Sequence, residues 1–350
     1  MAKVEAAHSL GPLSPVAALF KREGRAARRQ AIADPWQVPP FPACCTSYVS
    51  AEAEQEDPMS KTGLAATVLL LAGLLGFSLA TPAMASDCGA ADTPCSVPLG
   101  SYHIAIPKDG GRGAPIHLHL HGAGADGKAV INGGMTADTL GRGYAMIAPT
   151  GYQEIARWKK NWAVFDGRTY PRDDIAFLTQ VIEDAVARHG LDRDRLLLSG
   201  FSRGGSFVWD VACRAPGMAR AYAPVAGAFW DPLPEDCAEP VDLFHTHGWT
   251  DRVVPLEGRS FREGAVVQGD AFASLFILRA TNGCAARQPE SAPIEGDRWW
   301  RHWSDCRAGR IDLMLHPGGH GVPKGWTDLA LDWFEERLTT EEKKACVASC

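Results

Sequence analysis

The stretch that most constrains this chain is Leu196-Leu-Leu-Ser-Gly-Phe-Ser-Arg-Gly-Gly205. A short apolar run leads into Gly200-Phe201-Ser202-Arg203-Gly204, and an apolar-periodic run, Ser206 to Cys213, leads out of it. That pattern predicts a buried strand, a sharp turn at Ser202 and a helix packed back against the strand. So tight a turn leaves no room for side chains beside the serine, and Gly200, Gly204 and Gly205 supply the missing bulk. The turn would hold the Ser202 hydroxyl at a helix N-terminus, where backbone N–H groups and the helix dipole favour negative charge developing on oxygen. The plain alternative is a glycine-rich turn with a capping serine. What separates the two is whether a base and an acid stand elsewhere in the chain.

The chain has 350 residues, 46% hydrophobic and 22% charged, enough for a large core in one or two domains. Lys and Arg number 35 against 41 Asp and Glu, a net charge of −6 with no basic patch over the body of the chain, which argues against a nucleic-acid partner. The basic cluster from Lys21 to Arg29 lies upstream, in a stretch without apolar periodicity. Residues 1–58 are expected to be a non-native or disordered extension, with the start at Met59. Residues 59–85 have the three parts of a signal peptide: Lys61 as the positive region, Leu64 to Ala80 as the apolar run, and Ala83-Met84-Ala85 as the cleavage site. Export with cleavage after Ala85 is expected, leaving no membrane segment in residues 86–350. A retained anchor is the competing reading, since the apolar run is about long enough to span a bilayer.

Removing the upstream residues discards Cys44 and Cys45 and leaves Cys88, Cys95, Cys213, Cys237, Cys284, Cys306, Cys346 and Cys350. An even set in an exported protein reads as a disulfide framework. Connectivity is not legible from sequence, and nearest-neighbour pairing is the expectation. A zinc site is the rival, but no Cys-x-x-Cys pair or Cys/His spacing of the usual kind occurs.

Strand and helix patterns alternate along residues 86–350, which are expected to form one domain of α/β class. Ser101–Ile106 reads as an edge strand. Ile116–His121, Tyr144–Pro149, Ala221–Ala226 and Val241–His247 read as strands, and Arg298–Trp303 and Ile311–His316 as extended segments. A helix runs from Asp173 to His189 with Gly190 as its stop, another from Asp270 to Arg279, and a closing one from Trp326 to Leu338. The order predicts a mostly parallel sheet covered by helices on both faces. Asp173 and Asp174 fit the first turn of a helix, where acids satisfy free N–H groups. His117, His119 and His121 alternate on one strand face as metal ligands do, but no carboxylate or cysteine nearby completes a site, and no metal or cofactor is expected.

A serine hydroxyl needs a base, and the base a carboxylate that fixes its tautomer. On a fold of this type the three follow the order Ser, Asp, His, each after a strand. The chain offers Ser202, then Asp251 beyond the strand ending at His247, then His320 in Pro317-Gly-Gly-His-Gly321. The oxyanion donors would be the N–H groups of Arg203 and of Ala123, the latter in His121-Gly-Ala-Gly124. Among rivals, His245 and His247 precede the acid, His316 sits at a strand end, and Asp231 and Asp242 lack the position after a strand.

With these motifs in place, the chain resembles the polyhydroxybutyrate depolymerase and feruloyl esterase group of secreted α/β-hydrolases. The resemblance rests on Gly200-Phe-Ser-Arg-Gly-Gly205, His121-Gly-Ala-Gly124, His247-Gly-Trp-Thr-Asp251 with Val254-Pro255, Gly318-Gly-His-Gly321, and the neighbourhoods of Cys213, Cys237, Cys284 and Cys306. It implies an α/β-hydrolase fold and a secreted serine esterase with Ser202, Asp251 and His320 as its triad. The substrate would be a small or oligomeric ester: a polyhydroxyalkanoate oligomer, a feruloyl or acetyl ester of plant polysaccharide, or a simple aryl ester. Trp162, Trp230 and above all Trp249 are candidates to line the substrate pocket. Two other readings remain open, a disulfide-stapled binding protein without catalysis and a peptidase.

Overall fold

The computed structural model describes residues 88–348 apart from 91, 109–110 and 154–158, with side chains to residue 339. Residues 1–58, the signal-like segment at 59–85, Trp158 and the Cys346 and Cys350 side chains fall outside the described residues.

The elements in chain order are β1 (Cys95–Val97), β2 (Gly100–Ala105), β3 (Ile116–Leu120), α1 (Gly127–Ile131), α2 (Gly134–Gly141), β4 (Ala145–Pro149), α3 (Asp174–His189), β5 (Leu196–Phe201), α4 (Arg203–Arg214), β6 (Ala221–Val225), β7 (Asp242–Gly248), β8 (Arg259–Phe261), β9 (Val266–Gln268), α5 (Ala271–Asn282), β10 (Ile294–Glu295), β11 (Arg298–Trp303), β12 (Arg310–His316) and α6 (Trp326–Ala348). Among the described residues, ten strands form one sheet in the order β1-β2-β4-β3-β5-β6-β7-β12-β11-β10, and β8 and β9 form a separate hairpin. Strands β4, β3, β5, β6, β7 and β12 pair in parallel. Antiparallel strands flank them on both sides.

Helices cover both faces because the parallel strands are apolar on both. In β5, Leu196 and Leu198 pack beneath α3, α4 and α5 in a core with Phe177, Leu178, Phe207, Trp209 and Leu278. Leu197, between them, faces the opposite core with Phe244, Met314, Trp326, Trp333 and Phe334 under α6. The sequence marks α3 at both ends. Asp173 accepts the Ala176 N–H at the N-terminus, and Gly190 ends the helix in the left-handed region at φ 64°.

Two expectations are corrected. The strand at 100–105 is internal, because the three-residue β1 pairs along its outer edge. So short a strand has too few residues for alternation to show. The closing helix runs ten residues past Leu338, to Ala348.

Disulfides join Cys88 to Cys95, Cys213 to Cys237 and Cys284 to Cys306. Cys284 directly follows Gly283, the left-handed cap of α5, and Cys306 lies in the turn between β11 and β12. The Arg307 and Ala308 N–H groups also donate to the Gly283 and Asn282 carbonyls. The bridge therefore ties the β11–β12 hairpin to the body of the domain, and β12 carries the loop that holds His320. Closing a loop of this length in the unfolded chain contributes about 3 kcal/mol in the chain-entropy model. The double substitution Cys284→Ser/Cys306→Ser is expected to lower Tm by roughly 6–12 °C in a calorimetric scan; an unchanged Tm would show that the bridge adds nothing.

Candidate active site

The turn after β5 is sharp, as its glycines require. Ser202 has φ 57° and ψ −120°, a backbone conformation that a residue with a side chain adopts only when its surroundings enforce it. The enforcement is backbone packing. A Cβ on Gly200 would stand 2.6 Å from the Gly204 carbonyl, and one on Gly204 would run into the carbonyls of Leu120 and His121 at the end of β3. One on Gly205 would overlap the Val225 carbonyl at the end of β6. The first turn of α4 is thus wedged between three strand ends, and Val225 O accepts the Ser202 N–H at 2.9 Å.

Asp251 and His320 arrive on neighbouring strands. β7 and β12 pair in parallel from Asp242 against Arg310 to Gly248 against His316, so the loops that follow them leave the sheet side by side. Those loops are joined by hydrogen bonds from Trp249 N–H to His316 O (2.7 Å) and from Thr250 N–H to Gly318 O (3.1 Å). The result is a continuous line of contacts. His320 Nδ1 lies 2.7 Å from Asp251 Oδ2, and His320 Nε2 lies 2.9 Å from Ser202 Oγ.

Asp251 Oδ1 accepts the N–H groups of Val253 and Val254 at 2.8 and 2.9 Å. Burial raises the Asp251 pKa, but the His320 hydrogen bond and these two N–H groups outweigh it and hold the carboxyl below its usual value. The acid is therefore ionised at neutral pH and fixes the neighbouring nitrogen of His320 as a donor. The Phe201 ring packs against the imidazole, with centroids 4.8 Å apart.

The Arg203 N–H is the first of α4 and has no intrahelical acceptor. The loop of Gly122, Ala123 and Gly124 packs on the same turn, since a Cβ on Gly122 would lie 3.4 Å from the Ser202 Cβ. Ala123 is exposed there, beside the serine.

The rivals sit elsewhere. His316 uses Nδ1 to accept the Gly318 N–H at 3.1 Å. Asp242 pairs with Arg220 and Arg337 at the start of β7, the end of the strand remote from Asp251. His245 and His247 are fully buried side by side at 3.0 Å. His247 Nε2 donates to Val254 O at 2.8 Å and stands 3.5 Å from Asp251 Oδ2, so it packs against the acid from behind. Its i, i+4 spacing from Asp251 was the available signal.

The three candidate tryptophans separate. Trp162 is fully buried and donates its indole N–H to His121 O, so it belongs to the core and lines no substrate pocket. Trp230 is 9% exposed and packs over Arg203 and Phe261. Trp249 is 54% exposed and meets Trp299 of β11 edge-on, with centroids 5.6 Å apart. Trp299 joins the site only through strand pairing, which local sequence does not display.

No protein-family model matches the sequence. Feruloyl esterase C of Emericella nidulans is 27% identical over 280 residues, spanning 73% of this chain and 92% of that protein. A probable feruloyl esterase C of Aspergillus niger is 26% identical over 234 residues, spanning 64% of this chain and 77% of that one. Among solved structures, an acetyl xylan esterase from Aspergillus awamori superposes with a TM-score of 0.51 at 12% identity, covering 67% of this chain and 93% of its own. The chain has the α/β-hydrolase fold, and its sequence is similar to those of feruloyl esterases. The strand order and the loops that follow β5, β7 and β12 are those of the hydrolase fold.

His117 and His119 of β3, and His121 just beyond it, serve the sheet of this fold. His117 and His119 converge on Ser199 Oγ at 2.6 and 2.8 Å, His117 also meets Thr139 Oγ1 at 2.9 Å, and His121 Nε2 accepts the Gly151 N–H at 2.8 Å. Burial pushes the His117 pKa down to about 3 and that of His121 to about 4, and those of His119 and His245 well below the usual histidine value. The folded chain keeps these rings neutral while the unfolded chain protonates them below about pH 6.5. Stability is thus full above that pH and is lost as pH falls toward the folded values, by about 1.4 kcal/mol per pH unit for each ring. Urea unfolding is expected to give a free energy that is flat from pH 8 to 7 and lower by several kcal/mol at pH 5. A flat profile down to pH 5 would contradict neutral burial of these rings.

Proposed function

We propose that the protein is a secreted serine esterase that uses Ser202 as nucleophile, His320 as base and Asp251 as the acid that orients it. The observation that carries this reading is the contact line Asp251–His320–Ser202, at 2.7 and 2.9 Å, on a strained turn at a helix N-terminus. The relatives named above are esterases, which supports carboxylic esters as the substrate class. Three disulfides and the signal-like segment at 59–85 support export.

In this reading the Ser202 hydroxyl gives its proton to His320 Nε2 as Oγ attacks the ester carbonyl. The carbonyl oxygen becomes an oxyanion and is met by the N–H groups of Arg203 and Ala123. Asp251 accepts the Nδ1–H of His320 and stabilises the imidazolium. Collapse breaks the bond to the alcohol oxygen, which leaves with the proton from Nε2. Water, deprotonated by the same nitrogen, then attacks the acyl-enzyme and releases the acid and the free serine. The exposed pair Trp249 and Trp299 gives an aromatic surface beside the loops that carry Asp251 and His320, suited to an aryl acyl group or a sugar ring. Feruloyl or acetyl esters of polysaccharides are the favoured substrates.

With p-nitrophenyl acetate and methyl ferulate, Ser202→Ala and His320→Ala are each expected to lower kcat by at least about 10⁴-fold, and Asp251→Asn by about 10³–10⁴-fold. Circular dichroism and Tm of all three should stay near those of the parent. Activity surviving in His320→Ala but lost in His316→Ala would overturn the assignment.

A further inference from the structure

The turn that carries Asp251 is wound around one buried side chain. His247 stands near the end of β7, pairs with Leu315 of β12 and has no exposed surface. Beyond it the chain turns back, with the Asp251 N–H donating to the Gly248 carbonyl at 3.1 Å, until Val254 returns to the His247 ring. There His247 Nε2 donates to Val254 O at 2.8 Å. A carbonyl oxygen only accepts, so that nitrogen carries the ring proton. Burial holds the rings of His245 and His247 neutral, which leaves His247 Nδ1 bare to accept the Nε2–H of His245 at 3.0 Å. The tautomer of His247 is thus set on both sides.

Val254 is in turn held at both of its backbone groups. Its carbonyl takes the His247 proton, and its N–H donates to Asp251 Oδ1 at 2.9 Å beside that of Val253 at 2.8 Å. With Oδ1 anchored in this way, Oδ2 faces His320 Nδ1 at 2.7 Å. His247 Nε2 stands 3.5 Å from that same Oδ2, too far for a strong hydrogen bond, so its hold on the carboxylate runs through the Val254 turn. An apolar residue of similar size would fill the space but would take away the donor to the Val254 carbonyl, on a residue only 3% exposed. The donor, and not the bulk, is what this place requires.

We propose that His247 is a positioning residue for ester hydrolysis: its Nε2–H holds the Val253–Val254 turn in the place from which Asp251 Oδ2 meets His320. The inference rests on the esterase reading above. Its part in the reaction is to keep Asp251 aimed while the Ser202 proton moves to His320 Nε2.

The test compares His247→Gln, whose amide nitrogen reaches the place of Nε2, with His247→Asn, whose shorter amide does not. His117→Asn, at an equally buried ring of β3, controls for the loss of a core histidine. With p-nitrophenyl acetate, His247→Asn is expected to lower kcat at least about 20-fold with KM within about twofold, since Asp251 acts in the transition state and not on substrate binding. His247→Gln and His117→Asn, each assayed where circular dichroism shows it folded, should stay within about threefold of the parent in kcat. The downfield proton resonance of His320 Nδ1–H reads the Asp251 hydrogen bond without turnover. It is expected to persist in His247→Gln and to vanish or move upfield in His247→Asn. Unchanged kcat or an unmoved resonance in His247→Asn overturns the assignment, as does a loss in His247→Gln or His117→Asn equal to that in His247→Asn. If His247→Asn does not fold, the parent decides: ¹⁵N NMR of labelled histidines is expected to find the His247 proton on Nε2, and a bare Nε2 overturns the proposal. If the parent cleaves no ester, the esterase reading fails, and the resonance alone decides whether His247 aims Asp251.

Discussion

The site depends on one steric fact: helix α4 begins so close to the ends of β3, β5 and β6 that its first turn admits no side chains at 204 and 205. Carbonyl oxygens of Leu120, His121 and Val225 occupy the space that those Cβ atoms would need. The same packing leaves Ser202 no ordinary backbone conformation, and its positive φ follows from the wedge around it. The hydroxyl therefore projects above the sheet at the positive end of a helix dipole. Fold stability and the placement of the hydroxyl are in this sense one constraint. A residue larger than glycine at 204 would have to move the end of β3 before it disturbed anything else.

His320 and Asp251 rest on a second, softer constraint. Parallel pairing of β7 with β12 sets two loops side by side, and the Trp249 and Thr250 N–H groups lock them together. Gly248 permits that approach, since a Cβ there would meet the carbonyls of Gly318 and Gly319. The disulfide behind β11 and β12 holds the pair against α5. The geometry at His320 is thus inherited from strand register, and the loop residues only complete it.

Much of this was legible in the sequence because it is written in residue types with one physical meaning. Glycines flanking Ser202, Asp173 and Gly190 at the ends of α3, Asp270 before α5, and the chain order of Ser202, Asp251 and His320 are local signals. The nearest-neighbour pairing of six cysteines also matches the disulfides found. What was not legible depends on contacts between distant segments. The pairing of β1 outside β2 and the β8–β9 hairpin involve three-residue strands, too short for periodicity. Trp162 and Trp249 are the same residue type, and only the fold decides that one is core and the other surface. The meeting of Trp299 with Trp249 likewise follows from tertiary packing.

The central claim is that Ser202 is a nucleophile activated by His320. The most direct measurement is covalent trapping with a small fluorophosphonate, followed by peptide mass mapping. A single adduct on the peptide that contains Ser202 is expected at neutral pH, forming at least about a hundredfold more slowly in His320→Ala. Labelling at another residue, no labelling, or an equal rate without His320 would contradict the account.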